Sequence, residues 1–452
     1  MKKLLTLLIG LFLVASVLSF AACGSEADPP AAPAENGDDA APAAADDEAE
    51  APAEPAADDL TLRVSFMGEG RHIEDVRHVF DLYTERTGVE IEFVFVPVGG
   101  SGWADFFTNL QLMFVAGDSP DTAMVAIEGI AMFAERGLAL PLNDFLDRNP
   151  GIYEEAMADI HPRLQAPFVI DGNIYAFVCE WNNVVVHFNM DLLEAAGLEL
   201  PGEDWTKEDF IYYAERLTIN DGTTRQFAFH VPNYYFGMNA FLFSNDAAIL
   251  NEDMTASVLH EPNSVEMFQF LQDAIHVHGW APVPEPGTDA IQMLIDGQIA
   301  MGFWGRWPTS AYIENDFHNV AVQLIPTFRT KATIFGSGGH LVLSGTQDYD
   351  AAAAFAIWTA EAEFVEEFYG VGSIPTRRSV AERIIPALGL PLNYDVYFRS
   401  ADFAMPVQSP PEYAEIANVL DRYMSSIFTN EMTVQEALNA ATAEIDFIFQ
   451  SE

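Results

Sequence analysis

From Leu60 onward the apolar residues keep changing their period, and this alternation constrains the fold more than any other feature. Leu60-Thr-Leu-Arg-Val-Ser-Phe66 alternates in twos and predicts a strand. Ile73, Val76, Val79, Phe80 and Tyr83 follow at helical spacing, and Gly88 is the expected stop. Val89 to Val96 returns to alternation, and a Gly-rich turn spans Pro97 to Gly102. Ala104 to Ala116 then reads as a helix ended by Gly117, and Thr122 to Ile127 as a short apolar strand. Strand, helix, strand, helix, strand is the order that builds a parallel sheet with helices on its faces. Further strands are expected at Val184 to Phe188, Val320 to Ile325 and Leu341 to Leu343, with Met293 to Trp304 passing from helix into strand. Thr206-Lys-Glu-Asp209 and Thr433-Val-Gln-Glu436 are capping-box starts for helices, the second running to about Phe449. Ala351 to Tyr369 reads as one amphipathic helix. This folded part has about 390 residues, too many for one comfortable core, so an α/β protein of two lobes is expected.

The N-terminus obeys other rules. Lys2 and Lys3 precede an uncharged run from Leu4 to Phe20, then Ala21-Ala22-Cys23-Gly24. A basic start, an apolar stretch and small residues form the layout of an export signal. The Cys directly after the small residues resembles a bacterial lipoprotein signal. That resemblance implies that 1–22 is removed and that Cys23 carries lipid, anchoring the mature chain to the membrane outside the cell. Phe20 stands where such signals prefer Leu. A plain signal peptide and a retained N-terminal membrane helix fit the same run. Residues 23–59 read as a lipid-anchored, disordered acidic linker. From Gly24 to Asp59 there are twelve acids, no Lys or Arg and no aromatic residue. Such a segment has nothing to bury against the entropy of ordering. Stretched out, it reaches on the order of 100 Å.

The formal net charge is −48. With the two leader lysines and the twelve linker acids removed, about −38 remains on the folded part. A surface this acidic repels nucleic acid and anionic membranes. Adaptation to high salt and attraction of a cationic ligand both fit, and the even spread of acids along the chain favours the first. Of the two cysteines, Cys23 is the lipidation candidate, which leaves Cys179 without a disulfide partner. Cys179 reads as a buried, inert thiol.

Several phrases occur in order along the folded part. They are Ala116-Gly-Asp-Ser-Pro-Asp121, Arg136-Gly-Leu-Ala-Leu-Pro-Leu142, Asp171-Gly-Asn-Ile-Tyr-Ala176, His187-Phe-Asn-Met-Asp-Leu-Leu193, Ala196-Gly-Leu198 and Asp204-Trp-Thr206. They continue with Ile295-Asp-Gly-Gln-Ile-Ala-Met301, Gly370-Val-Gly-Ser-Ile-Pro-Thr-Arg377 and Met432-Thr-Val-Gln-Glu-Ala-Leu438. Together they resemble the extracellular solute-binding proteins of ABC importers, in the sugar-binding group that includes maltose-binding protein. The resemblance implies a type II periplasmic-binding-protein fold, with two hinged α/β lobes and a central ligand cleft. Lobe 1 would take 60–178 plus about 326–375, and lobe 2 would take 179–325 plus about 376–452. The crossings would fall near Val178 to Asn182 and near Ile325 to Phe328. Cys179 stands where the family usually has Pro, so this crossing is expected to be shaped differently.

A sugar needs polar groups around its rim and aromatic rings against its faces. On that chemistry, and on the family's ligand-facing positions, the candidates are Glu69, Arg71, Glu128, Glu180, Trp181, Asn182, Trp304, Arg306 and Trp307, with Tyr234, Tyr235 and His340 added. Glu180 is alternatively a partner for Arg306 that locks the closed state. The Gly run 336–339 reads as a tight backbone passage. No catalytic residue, metal site or cofactor is expected. The implied partners are a mono- or oligosaccharide and the permease subunits of an ABC importer, and no nucleic acid. A polyamine or other cationic solute on the same fold, and an extracytoplasmic glycan-active enzyme or sensor, stay open as alternatives.

Overall fold

The computed structural model describes residues 60–67, 77–97 and 102–451. The expected helix over 73–83 is seen from Arg77, and it runs on to Thr87 as α1 (Arg77–Thr87). It lies between β1 (Thr61–Met67) and β2 (Glu90–Val96), which pair in parallel with Val64 opposite Phe93. α2 (Trp103–Ala116) ends at Gly117, whose φ of 72° suits a residue without Cβ. β3 (Thr122–Ala126) is buried along its whole length, pairs in parallel with β1, and leads directly into α3 (Ile127–Glu135).

β4 (Ala139–Leu140) and the small ribbon of β5 (Val169–Ile170) and β6 (Asn173–Ile174) precede β7 (Val178–Asn183). Here the chain changes sheet. β7 belongs to the first sheet, while β8 (Val185–Asn189) belongs to a second, so the change falls at Val184. The second sheet adds β9 (Ile219–Asn220), β10 (Arg225–Phe229), β11 (Ile299–Trp304) and β12 (Val320–Gln323), in the order β12-β8-β11-β10-β9. α4 (Tyr235–Ser244) follows β10 and is buried on nearly every side. The helix opened by Thr206 has both reciprocal bonds of a capping box with Asp209.

The chain returns to the first sheet at β13 (Thr333–Leu343), which runs antiparallel between β3 and β7. The expected strand at Leu341 is therefore only the end of a longer one. The Gly run 336–339 is part of that strand, with a register shift between Gly338 and Gly339. β14 (Ile374–Pro375) and β15 (Ala404–Pro406) complete the sheet.

The single helix expected over 351–369 is two. One spans Tyr349–Trp358, the other is α5 (Ala362–Tyr369). Between them Thr359 turns its hydroxyl back onto the Ala356 carbonyl at 2.8 Å, and Arg377 Nε donates to the Ala360 carbonyl. The break lets Trp358 pack against Tyr83, with ring centroids 4.8 Å apart. Two C-terminal helices, α6 (Tyr413–Phe428) and α7 (Val434–Gln450), tie the two halves together. Tyr413 meets Phe107 of α2, while Gln272 Nε2 donates to the Ile427 carbonyl at 2.9 Å.

Candidate ligand cleft

The site assembles where three strand ends of the two sheets meet. β3 delivers Glu128 into the first turn of α3. Along β7, alternation sets Glu180 and Asn182 on one face and Trp181 on the other. In register beside them, β13 places Gly338 opposite Glu180 and Gly336 opposite Asn182. Positions two apart on a strand share a face, and here that face has no side chain. A Cβ at Gly338 would lie 2.9 Å from Glu180 Oε1 and 2.2 Å from the Met124 methyl. One at Gly336 would lie 3.1 Å from the Phe236 ring and 3.8 Å from Glu128 Oε1. Gly336 thus leaves room beside Glu128, and Gly338 makes room for the Met124 methyl and the Glu180 carboxyl together.

From the second sheet, the end of β11 brings Gly305-Arg306-Trp307. Arg306 N donates to Asn182 Oδ1 at 2.9 Å. Asn182 Nδ2 in turn donates to Glu180 Oε2 and to Ser373 Oγ, both at 3.2 Å. The Arg306 guanidinium is fully buried, and its Nη1 donates to the carbonyls of Gly370 at 2.7 Å and Ser373 at 2.6 Å. The expected Glu180–Arg306 pair is therefore replaced, among the described contacts, by a bridge through Asn182 and Ser373. The bridge joins a loop of the second sheet to a turn of the first. Trp307 is half-buried, its ring over Gly305 and 6.4 Å from Phe236 of α4. His187 fixes this loop from below. A carbonyl can only accept, so Nε2–H donates to the Gly305 carbonyl at 2.8 Å, and Nδ1 accepts from the Tyr312 hydroxyl at 2.9 Å. Burial holds His187 down at about 4, which keeps the ring neutral.

Burial dominates the electrostatics. Glu128 is pushed up to about 7 by burial, against its own backbone N–H and with a further push from Glu180. Glu180 is also pushed up to about 7 by burial, while Ser373 and Asn182 pull it back. Burial lowers Arg306 to about 10.

The structure thus brings Glu128, Glu180, Asn182, Arg306 and Trp307 together, and it leaves other candidates elsewhere. Glu69, Arg71 and Cys23 lie outside the described residues. Trp181 faces the opposite side of β7 and is buried in the main core. Trp304 is buried, its ring folded over Gly302 and edge-on to His187 at 5.7 Å. Tyr234 donates to the Phe303 carbonyl at 2.8 Å, and its ring covers Gly237. Tyr235 donates to the Gln408 carbonyl at 2.8 Å and stands edge-on to Tyr413, with Glu128 acting on its phenol. His340 sits in the aromatic packing beside the first sheet, 4.7 Å from Phe66 and 5.7 Å from Phe355, with neither ring nitrogen bonded. Burial holds it down at about 3. Cys179 donates to the Gly338 carbonyl at 3.2 Å from inside the sheet. Phe236, Ser373 and His187 belong to the site's construction and are absent from the expected set. Only the Gly run and the strand-end position of Gly305 hinted at neighbours folding over them.

The family described as bacterial extracellular solute-binding protein matches residues 79–387. A Brucella abortus protein named as a binding protein is 22% identical over 398 residues, covering 84% of this chain and 90% of its own length. Among solved structures, an ABC substrate-binding protein from Listeria monocytogenes in complex with cycloalternan has a TM-score of 0.78 at 22% identity. It covers 87% of this chain and 100% of its own. A Thermotoga lettingae ABC transporter solute-binding protein bound with α-D-tagatose has a TM-score of 0.75 at 20% identity, covering 86% and 100%. The two sheets described above are therefore the lobes of a two-lobe binding-protein fold.

Proposed function

Because the chain belongs to the bacterial extracellular solute-binding protein family, we propose that it captures a mono- or oligosaccharide outside the cell and delivers it to the permease of an ABC importer. The observation that carries this reading is the grouping of Glu128, Glu180, Asn182 and Trp307 where the two sheets meet, with Phe236 beside the tryptophan. It offers acceptors and donors for hydroxyls and an aromatic wall for a sugar's C–H face. The cycloalternan and α-D-tagatose bound in the Listeria and Thermotoga structures support the ligand class. Closure is a hinge motion, and its axis runs through the two changes of sheet, at Val184 and between Gln323 and Thr333. The Arg306–Ser373 bridge is a contact that such a motion makes or breaks. The reaction is binding without turnover. Lipid on Cys23 tethers the lobes beside the permease, and mass spectrometry of the mature N-terminus tests this.

The functional test is calorimetry of the full chain against maltotriose, tagatose and a panel of disaccharides, repeated with Trp307→Ala. A saccharide that binds the parent and loses at least about tenfold in the variant supports the site, since a stacked aromatic in a desolvated cleft dominates such contacts. Hydrolysis of the sugar, or binding indifferent to Trp307, refutes the assignment.

A further inference from the structure

The cleft holds two buried acids, and among the described contacts neither makes an ion pair. Glu128 is 4% exposed and Glu180 is 8% exposed. Glu128 Oε2 is buried without a hydrogen-bond partner. Its other oxygen faces the bare backbone of Gly336, and Glu180 Oε1 faces that of Gly338. The Arg306 guanidinium turns Nη1 to two carbonyl oxygens and leaves Nε and Nη2 buried without a hydrogen-bond partner, so it pairs with neither carboxyl among the described contacts. The other titratable groups facing the pair are the phenols of Tyr235 and Tyr413 near Glu128, and Tyr369 and the Cys179 thiol near Glu180. Burial pushes all four up, so all are neutral at pH 7 and none offsets the acids.

We propose that the cleft takes a ligand bearing a protonated amine, in the first instance an amino saccharide. Its ammonium seats against Glu128 and Glu180, and its ring lies against Trp307 and Phe236. The inference rests on the capture reading above and names the ligand class of that same site. A neutral sugar gives hydroxyl donors to the acids but leaves their mutual repulsion and desolvation uncompensated, so one or both must stay protonated. An ammonium supplies donors and the opposite charge together, which favours both carboxylates. An aromatic wall is an added attraction for a cation and an obstacle to an anion. Gly336 keeps the backbone beside Glu128 clear of a side chain of its own.

The test is calorimetry of the full chain at pH 7 with four ligands: the disaccharide of glucosamine, its N-acetylated counterpart, maltotriose and spermidine. The amino disaccharide is expected to bind at least about tenfold tighter than the acetylated one, the scale of a close charge pair. That preference should shrink at pH 5.5, where the acids hold protons and the amine stays charged. Glu128→Gln and Glu180→Gln should each bring the ratio of the two affinities toward one. Tight spermidine binding with no amino-sugar binding would keep the amine chemistry and name a free polyamine as its source. Equal affinity for the amino and acetylated disaccharides, or a ratio that neither variant nor pH moves, overturns the proposal and leaves saccharide capture standing. Binding of none of the four overturns both.

Discussion

Replacing Glu128 and Glu180 together by glutamine should stabilise the ligand-free protein at pH 8 and leave it almost unchanged at pH 4.5. Each carboxyl is held at about 7 instead of 4.5, chiefly by burial. Ionising such a group in the folded state costs about 3 kcal/mol. The sign follows from proton counts. Between 4.5 and 7 the folded chain keeps a proton that the unfolded chain has lost. Stability tied to each acid is therefore complete below 4.5 and falls as pH rises through about 7. Glutamine mimics the protonated acid in shape and has no charge to desolvate. Since Glu180 itself raises Glu128, the double variant gains less than the two single variants together, between about 3 and 6 kcal/mol at pH 8. The buried histidines act in the opposite sense. His187 and His340 are held down at about 4 and about 3 from 6.5, so unfolding takes up protons below 6.5 and acid weakens the fold. The parent should thus change little between pH 4.5 and 6.5, while the variant gains stability across the same range. Urea denaturation at pH 4.5, 6, 7 and 8 measures this, and the readout is the difference between the two proteins at each pH. Parallel curves, with a difference that does not grow with pH, would refute the argument that these acids are buried and uncompensated.

Trp304→Ala should destabilise the fold by about 3–5 kcal/mol, the range for truncating a buried aromatic, because its ring fills the space over Gly302 against His187. Thermal unfolding reads this loss, and the half-buried Trp307 should show far less of it under the same change. The Cys179 thiol, enclosed by the sheet and pushed up by burial, should resist iodoacetamide in the native protein and react only in denaturant. Peptide mapping of the labelled site distinguishes it from Cys23, and rapid native labelling at Cys179 would contradict its burial.

What the sequence could convey depended on whether one periodicity settled the question. Thr61–Met67 and Trp103–Ala116 are close to their expected ranges because their apolar spacing and the Gly117 stop agree. The helix break at Thr359 was hidden, since the apolar stripe continues through it and the turn is favoured by a local bond from the Thr359 hydroxyl to Ala356 and a bond from Arg377, 17 residues away, to Ala360. In the site, Glu128 and the pair Glu180 and Asn182 were legible. A polar residue at the end of an apolar strand has few places to go except the rim of the sheet, and alternation gives the last two one face. Aromatic residues carry no such constraint. Trp304 and Trp307 sit in the same short phrase, yet one ring folds over Gly302 into the lobe and the other over Gly305 toward the cleft. Phe236 and Ser373 come from stretches about 70 residues away from that phrase on either side, and spacing along the chain cannot bring them to it. The more informative signal lay in the glycines. Gly302, Gly305, Gly336 and Gly338 all lie in or beside strands, where glycine is unfavourable unless something approaches closely. In each case a side chain crowds the position: an indole over Gly302 and Gly305, Phe236 at Gly336, and the Met124 methyl with a Glu180 oxygen behind it at Gly338. A strand that gives up its side chains is marking where other residues must fit, and of these positions Gly305 and Gly336 lie at the site, under the Trp307 ring and beside Phe236 and Glu128.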